Sequence, residues 1–466
     1  MTDTELLPAA TLLPAATASR AREVAVEILH RLCDRELVVE AARAASATVG
    51  RPVWEPGAAL YAGAAGSALA FAHAARACPD SAGHWWAQAH QWIALAAAST
   101  RERPLRRPGL SLGTAGIALA VAGCDEDDRY ARTLRGLDAR LAAQLDRSGP
   151  SAGRALTVHD YDVISGLSGI LGYACRRPAS ATVQRIVAFG VERLVARCAT
   201  GDPGGGALST SRWTPWRIAP ENYGREGERE LYPHGYVDLG LAHGVPGPLA
   251  ALSRAWLAGH RAPGLREAIR ALAGQLVAAS WQGEHGRAWS RVMPFDAAGE
   301  IAPHPRRPAD PAYCYGAPGV TSALLDAAEA LGDASVRAVA IEGFEAALRQ
   351  MEARPRGTGP GLCHGPAGVL LICGKFATRT GSAAAGAALG RLVERLLGGC
   401  DPNHPLIVRD HKPQAAGEPG SALAACPGGA WIDHPGLLDG AAGVALSLLS
   451  VAGRVPPRWA RALLAA

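Results

Sequence analysis

The sequence predicts an all-α protein in which about seven inner and seven outer helices form a closed double ring, an α/α toroid. A Gly-x-x-Gly tetrad followed by an apolar run occurs seven times along the 466 residues. An amphipathic segment, with apolar residues three to four positions apart, precedes most of these tetrads. Alanine and glycine are abundant while aromatic residues make up only 5% of the chain, a composition that suits closely packed helices better than a β-sandwich.

The apolar runs behind the glycine tetrads predict the inner helices. The tetrads begin at Gly63, Gly113, Gly166, Gly244, Gly316, Gly365 and Gly440. Single tetrads are common by chance in a chain with 55 glycines, so the apolar run behind each of the seven carries the prediction. A helix with few charges must be buried. The glycines are expected to allow left-handed turns and close backbone approach where these helices begin.

The amphipathic segments predict the outer helices. They span residues 21–45, 130–145, 183–198, 265–280, 336–351 and 385–397. Helical hairpins in series form either an open solenoid or a closed ring, and the irregular repeat lengths favour the ring. Residues 1–20, which contain a duplicated proline-broken segment, are expected to be a flexible leader. Residues 21–466 are expected to form one domain.

Charge and composition exclude several classes of function. The chain has 47 basic and 42 acidic residues and lacks a basic block, so no nucleic-acid partner is expected. No stretch approaches the roughly 18 apolar residues of a membrane span, and the acidic N-terminus does not resemble a signal peptide. These features predict a cytoplasmic protein whose ten cysteines are reduced. Eight of them are interpreted as thiols without a metal-binding role, at positions 33, 78, 124, 175, 198, 373, 400 and 426.

Four of the seven tetrads carry candidate functional residues at their entrances. These residues are Asp162, His243, Cys314 and the pair Cys363 and His364. The tetrads at 63 and 113 have none, and Asp439 before the last tetrad is interpreted as a helix cap. If all the inner helices begin at the same end of the ring, the four tetrads that carry candidate residues direct these side chains into one cavity.

Cys314, Cys363 and His364 are the residues that fit a catalytic zinc site. Cysteine and histidine are typical zinc ligands, and three protein ligands leave one tetrahedral position open. No Cys-x-x-Cys is present, so a structural zinc finger is not supported. The alternative is that each residue is a small side chain buried at a crowded turn. The same turn position supplies ligands in two consecutive units, which favours the metal site.

Several roles stay open for the other candidates. His243 is a fourth ligand, a general acid or base, or a buried core histidine. Asp162 either orients His243 or caps a helix start. Tyr315 either hydrogen-bonds in the cavity or serves as an aromatic wedge.

The third to sixth tetrads resemble those of the lanthionine synthetase C-like family, the cyclases of class I lanthipeptide biosynthesis. They read Ser-Gly-Leu-Ser-Gly (165–169), Ala-His-Gly-Val-Pro-Gly (242–247), Cys-Tyr-Gly-Ala-Pro-Gly (314–319) and Cys-His-Gly-Pro-Ala-Gly (363–368). The resemblance runs from about residue 20 to the C-terminus. It implies an α/α toroid with a zinc ion bound by Cys314, Cys363 and His364. It also implies an active-site histidine and aspartate, which fall on His243 and Asp162.

The resemblance further implies a reaction and partners. Family cyclases add peptide cysteine thiols to dehydroalanine or dehydrobutyrine, a Michael-type addition that forms thioether rings. The implied partners are a dehydrated precursor peptide with leader and core, a dehydratase and a transporter, in a complex that is associated with a membrane. The chain is expected to be a stand-alone cyclase. It departs from the family pattern at Tyr313, where tryptophan is usual, and at Asp310, where an arginine is frequent.

Two alternatives belong to other functional classes. The first is a zinc-containing protein of the same family that binds a thiol such as glutathione, or a regulatory peptide, without cyclase activity. The second is a glycosidase or terpenoid cyclase built on an α/α toroid. A glycosidase needs paired catalytic carboxylates, and the tetrads offer only Asp162 and Asp439, which lie on units that are not neighbours.

Overall fold

A computed structural model describes residues 12–148, 155–199, 209–224, 227–353, 359–413, 428–453 and 455–465. The helices of this part are α1 (Ala15–Cys33), α2 (Arg35–Val49), α3 (Ala64–Ala77), α4 (Ala82–Glu102), α5 (Thr114–Gly123), α6 (Ala131–Asp146), α7 (Leu167–Ala174), α8 (Ala181–Ala199), α9 (Thr210–Trp213), α10 (Glu228–Leu231), α11 (Pro246–Leu257), α12 (Leu265–Ala278), α13 (Ala317–Leu331), α14 (Ala334–Glu352), α15 (Pro366–Thr380), α16 (Ala383–Leu397) and α17 (Ala441–Ala452). Its strands are β1 (Tyr236–Asp238), β2 (Trp281–Gly283), β3 (Gly286–Ala288), β4 (Val292–Pro294), β5 (Asp410–Lys412) and β6 (Ala430–Ile432). None of these helices combines the length and the apolar character that a bilayer crossing requires.

The inner helices form a closed ring, and a second layer of helices packs around it. The inner helices are α3, α5, α7, α11, α13, α15 and α17, each packed against the next, and α17 packs against α3 to close the ring. Their outer partners, in the same order, are α4, α6, α8, α12, α14, α16 and α1. The first helix of the chain therefore pairs with the last. The all-α class and the α/α toroid expected from the sequence are confirmed.

The N-terminal part differs from its predicted form. The helix expected over 21–45 is two helices, because the Asp34 carboxylate accepts the backbone N–H groups of Glu36 and Leu37 and so caps α2. Helix α1 begins at Ala15, so residues 15–20 of the predicted leader are helical. Residues 1–11 of that leader lie outside the described residues.

Helix α4 has no counterpart among the predicted outer helices. Its buried face carries Trp85 and Trp92 together with alanines, while His84 and other polar residues face outward. Alanines on both faces weaken the apolar periodicity from which an amphipathic helix is recognised in a sequence. The helix nevertheless completes the outer layer between α1 and α6.

The second glycine of each tetrad lies close to a backbone carbonyl, and in six of the seven tetrads a side chain would not fit there. A Cβ atom on Gly116 would lie 1.9 Å from the carbonyl oxygen of Leu110. The same approach, always to the carbonyl six residues upstream, recurs in all seven tetrads. Close backbone approach therefore accounts for these glycines. The left-handed turn expected from the sequence occurs, among the tetrad glycines, only at Gly316, whose φ is 77°.

A closed ring of backbone hydrogen bonds joins the seven segments that lead into the inner helices. Each segment donates one backbone N–H group to a carbonyl of the next segment, at 2.8 to 3.3 Å. The bonds run from Leu60 to Ser111, from Ser111 to Ile164, from Val163 to Ala242, from Ala242 to Cys314, from Cys314 to Cys363, from Cys363 to Leu438 and from Leu437 to Tyr61. This ring places the tetrad entrances at one end of the toroid. It also makes the two predicted cysteine ligands direct neighbours, because Cys314 donates to Cys363 at 3.2 Å.

Short strand pairs bring distant loop residues to that end. Strands β1 and β4 are antiparallel, and beside them the N–H of Leu239 donates to the carbonyl of Arg291 at 3.0 Å. Strands β5 and β6 pair in the same way and support Asp410 and Lys412. Side chains from three loop segments thus reach the mouth formed by the tetrads.

A buried ion network ties together the inner helices α11, α13 and α15. The Asp326 carboxylate on α13 contacts Lys375 and Arg379 on α15 and Arg254 on α11, at 2.9 to 3.0 Å. Burial alone would raise the pKa of Asp326, but the three cations lower it to about 2. These three helices begin just after His243, Cys314 and His364. The network therefore stabilises the helices that carry these candidate residues at their starts.

Candidate active site

The structure brings Cys314, Cys363 and His364 together. One ligand atom from each, two sulfurs and an imidazole nitrogen, lies within 4.8 Å of the other two. The Sγ atom of Cys363 is 4.0 Å from Nε2 of His364. Both cysteines are buried, and the side chain of His364 is 62% exposed. Hydrogen bonding to Cys314 and burial raise the pKa of the Cys363 thiol well above its usual value.

A chain of charged side chains begins at His364 and leads to less exposed residues. Its Nδ1 lies 3.9 Å from Oδ1 of Asp439, and Oδ2 of Asp439 lies 3.1 Å from Nζ of Lys412. The ammonium of Lys412 also contacts Asp410 at 2.7 Å. Burial alone would raise the pKa of Asp439, but hydrogen bonding to His364 and the charge of Lys412 hold it well below its usual range. The interpretation of Asp439 as a helix cap is wrong, since the N-cap of α17 is Gly440 and has no side-chain cap.

His243 and Asp162 form a close pair. Nδ1 of His243 lies 2.7 Å from Oδ2 of Asp162, whose side chain is fully buried, while the side chain of His243 is 34% exposed. The other oxygen of Asp162 accepts the N–H groups of Ser165 and Gly166 at 2.7 Å. Tyr161 donates its hydroxyl to the carbonyl of His243, also at 2.7 Å. The histidine is therefore held through both its ring and its backbone.

Tyr315 belongs to a third group beside this pair. Its hydroxyl donates to Oδ2 of Asp238 at 3.3 Å, and the guanidinium carbon of Arg291 lies 4.3 Å from the centre of its ring. Gly240 permits this position, because a Cβ there would lie 2.6 Å from the tyrosine ring. Burial raises the pKa of Asp238, against the opposing effect of His243. Tyr315 and Asp238 together raise the pKa of Arg291 although its burial acts the other way.

Two buried tyrosines form the floor between these groups. The pKa of Tyr61 is raised well above its usual value by burial and by the nearby Asp162 and Cys363. The pKa of Tyr313 is raised in the same way, by burial, by Tyr61 and by Cys363. The hydroxyl of Tyr313 donates to the carbonyl of Leu463 at 2.7 Å, so the C-terminal segment also packs beneath the site.

The donor set at Cys314, Cys363 and His364 fits a zinc ion. Zinc binds sulfur at about 2.3 Å and imidazole nitrogen at about 2.0–2.1 Å, so tetrahedral ligands lie about 3.5 Å apart. The separations here are 4.0 Å between Sγ of Cys363 and Nε2 of His364 and at most 4.8 Å within the group, somewhat longer than this value. The His364 side chain faces solvent, whereas Cys314 and Cys363 are buried, so an external thiol would approach the donor atoms from the side of His364.

Four side chains at this site have no counterpart among the residues singled out as catalytic or ligand candidates: Asp238, Arg291, Asp410 and Lys412. Asp238 lies six residues before Gly244, whereas Asp162 lies four residues before Gly166, so the two aspartates share no spacing that could have indicated Asp238. Arg291 lies 23 residues before Cys314 and reaches the site only through the β1–β4 pair. No local pattern marks it.

Three comparisons relate the chain to known proteins. The model of the family "Lanthionine synthetase C-like protein" matches residues 56–464. The nisin biosynthesis protein NisC of Lactococcus lactis subsp. lactis is 26% identical over 270 residues, which are 57% of this chain and 61% of NisC, less than two thirds of that relative. A solved structure of nisin cyclase matches with a TM-score of 0.69 and 21% identity, over 92% of this chain and 96% of that one. The structural match shows a shared fold.

Proposed function

Since the chain belongs to the lanthionine synthetase C-like family, we propose that it is a lanthipeptide cyclase that adds cysteine thiols of a peptide to dehydroalanine or dehydrobutyrine. The product is a thioether ring. The observation that carries the proposal is the grouping of Cys314, Cys363 and His364 on the same rim as the pair of His243 and Asp162. The names of the similar proteins, a nisin biosynthesis protein and a nisin cyclase, support the same assignment.

In this proposal Cys314, Cys363 and His364 hold a zinc ion. Bound zinc would lower the pKa of a substrate thiol, about 8.5 for a free cysteine, and hold it as a thiolate. Asp439 lies next to His364 and would orient the imidazole, as carboxylates commonly do for metal-bound histidines. Lys412 and Asp410 position that carboxylate in turn.

His243 is the proposed proton donor. Ring closure forms a carbon–sulfur bond and breaks the double bond of the dehydro residue, so the thiol loses a proton and the α-carbon gains one. In this proposal the Asp162 carboxylate, 2.7 Å from Nδ1 of His243, accepts the N–H of that nitrogen and would stabilise a protonated imidazole. The Nε2 atom is then the one that would deliver the proton.

Arg291 and Tyr315 are proposed to assist at the carbonyl of the dehydro residue. Negative charge develops on this carbonyl oxygen as sulfur attacks, and preorganised donors lower the barrier there. Asp238 holds the Tyr315 hydroxyl, and Arg291 packs over the tyrosine ring. Arg291 would thereby fill the place of the arginine that many family members have where this chain has Asp310.

The test is ring formation on a dehydrated precursor peptide with leader and core, followed by thiol alkylation and mass spectrometry. The wild-type protein should consume peptide thiols without change in peptide mass. Cys363→Ala should lose one zinc equivalent and ring formation. Cys373→Ala is the matched control, because Cys373 is buried on α15 and bonds the carbonyl of Ala385 away from the site.

His243→Asn separates the proton donor from the ligands. This variant should keep its zinc content and lose ring formation or its selectivity. Normal ring formation by His243→Asn would remove this residue from the mechanism. Full zinc content in a Cys314→Ala/Cys363→Ala double variant would refute the ligand assignment.

The second candidate is a zinc-containing protein that binds a thiol or a peptide without closing rings. The same donor set and the 62% exposure of the His364 side chain favour it, since a small thiol such as glutathione could reach the ion. Titration with glutathione in a calorimeter, beside the precursor assay, separates the two candidates. Zinc-dependent glutathione binding with all precursor thiols left free would support the binding protein.

A further inference from the structure

A second group of metal-ligand side chains lies on the outer layer, away from the candidate active site. His30 and Cys33 stand three residues apart in the last turn of α1, and His84 lies near the start of α4. One ligand atom of each lies within 4.8 Å of the other two. The Sγ atom of Cys33 is 3.8 Å from Nε2 of His84. Two imidazoles and one thiol thus converge from two helices.

The environment of this group suits a cation. Residues three apart on a helix share one face, which directs His30 and Cys33 toward the same point. Helix α1 ends at Cys33, and the unsatisfied carbonyls of a helix C-terminus attract positive charge.

The group lies between two outer helices at the place where the inner ring closes. Helices α1 and α4 are the outer partners of α17 and α3, where the inner ring closes. They make little direct backbone contact with each other. The side chains of His30 and His84 both pack on Trp85, with ring centres 4.9 and 4.7 Å from the indole. An ion held here would link the two outer helices across the closure of the ring.

We propose that His30, Cys33 and His84 form a second site for a divalent transition-metal ion, for which Zn²⁺ is the probe. A set of two imidazoles and one thiolate suits an ion of borderline softness such as zinc. The three residues leave a coordination position that water fills at the exposed surface. Cys33 is then a metal ligand, whereas from the sequence it is interpreted as a thiol without a metal-binding role. This proposal is independent of the proposed cyclase activity.

The experiment counts zinc in the full-length protein after dialysis against a zinc buffer. The wild-type protein should retain two equivalents, and His84→Ala or Cys33→Ser should retain one. Cys363→Ala should also retain one, and its combination with His84→Ala none. The control is His90→Ala, which removes another imidazole of α4, bonded to Tyr130 instead, and should retain two equivalents.

Zinc should also raise the melting temperature of the Cys363→Ala protein but not that of the Cys363→Ala/His84→Ala protein, because only the former links α1 and α4. Equal zinc content in wild-type and His84→Ala proteins would overturn the proposal. So would equal losses in His84→Ala and His90→Ala, which would indicate non-specific surface binding. Ring formation by His84→Ala is expected to be unchanged, so the result does not depend on the catalytic assignment.

Discussion

Two aspartates at the site each divide their oxygens between the backbone and a functional side chain. Asp162 accepts two N–H groups of its turn with one oxygen and contacts His243 with the other. Asp238 accepts the N–H of Gly240 at 2.6 Å and the hydroxyl of Tyr315 at 3.3 Å. In each case, hydrogen bonds from backbone N–H groups fix the carboxylate, and the carboxylate in turn fixes the functional side chain. Of the two roles left open for Asp162, the helix cap is not formed, since the N-cap of α7 is Gly166 and has no side-chain cap. Orientation of His243 remains the proposed role, and the contact at 2.7 Å supports it.

Arg291→Ala tests the assisting role of the guanidinium. If Arg291 stabilises the charge that develops on the carbonyl oxygen, its loss should slow ring formation about 100-fold, mainly in kcat. Zinc content should not change, because the residue is not among the donors. The control is Arg306→Ala, which removes an exposed arginine of the following loop. An effect confined to KM, or equal effects of the two substitutions, would contradict the assignment.

Most candidate residues of this site are marked in the sequence by the glycine tetrads that follow them. Cys314, Cys363, His364 and His243 precede glycine tetrads, and the tetrads mark them because a local backbone constraint recurs at each helix start. Arg291 lies at the site only because strands distant in the chain pair with each other. Such pairing depends on the whole fold, so no fixed spacing in the sequence indicates that Arg291 belongs to the site. Asp410 and Lys412 were missed for the same reason, since they lie on the β5–β6 pair.

The glycine tetrads serve close packing of the backbone more than they serve turns with positive φ. Each second glycine lets an inner helix begin against the carbonyl of its own entrance segment. The entrance segments then stay close enough for their ring of backbone hydrogen bonds. The toroid was predictable because this unit repeats with an apolar run behind it. Helix α4 was not, because its alanines blur the division into two faces.

Gly116→Ala tests this packing role in a unit that carries no candidate functional residue. The new Cβ would lie 1.9 Å from the Leu110 carbonyl oxygen, so the backbone must shift, at a cost of about 3 kcal/mol in the free energy of unfolding. Gly386→Ala is the matched control within a helix, where a Cβ meets nothing within 4 Å. It should stabilise the protein by about 0.5–1 kcal/mol. Chemical denaturation of both variants measures the difference, and equal stability would contradict the close-approach explanation.

The ring closes where α17, its last inner helix, packs against α3, its first. Nε2 of His73 on α3 lies 3.3 Å from the hydroxyl of Ser450 on α17, which also accepts the indole N–H of Trp459 at 3.2 Å. His73 is buried, and burial followed by the charge of Arg76 lowers its pKa to about 4. A neutral imidazole is therefore part of the closure. The C-terminal segment is drawn into the same contact.

This lowered pKa makes the closure sensitive to acid. A group whose pKa falls from 6.5 in the unfolded chain to about 4 in the folded one stabilises the fold above pH 6.5 and loses that contribution as the pH falls toward 4. Between pH 7 and pH 5 the loss attributable to His73 should be about 2 kcal/mol. Other groups titrate in this range, so the quantity to measure is the difference between wild-type protein and His73→Gln in free energy of unfolding at the two pH values. His73→Gln should lower stability at pH 7 but show a smaller decline to pH 5, whereas His234→Gln, which replaces an exposed histidine, should follow the wild-type decline. Parallel declines in all three proteins would mean that protonation of His73 does not open the ring.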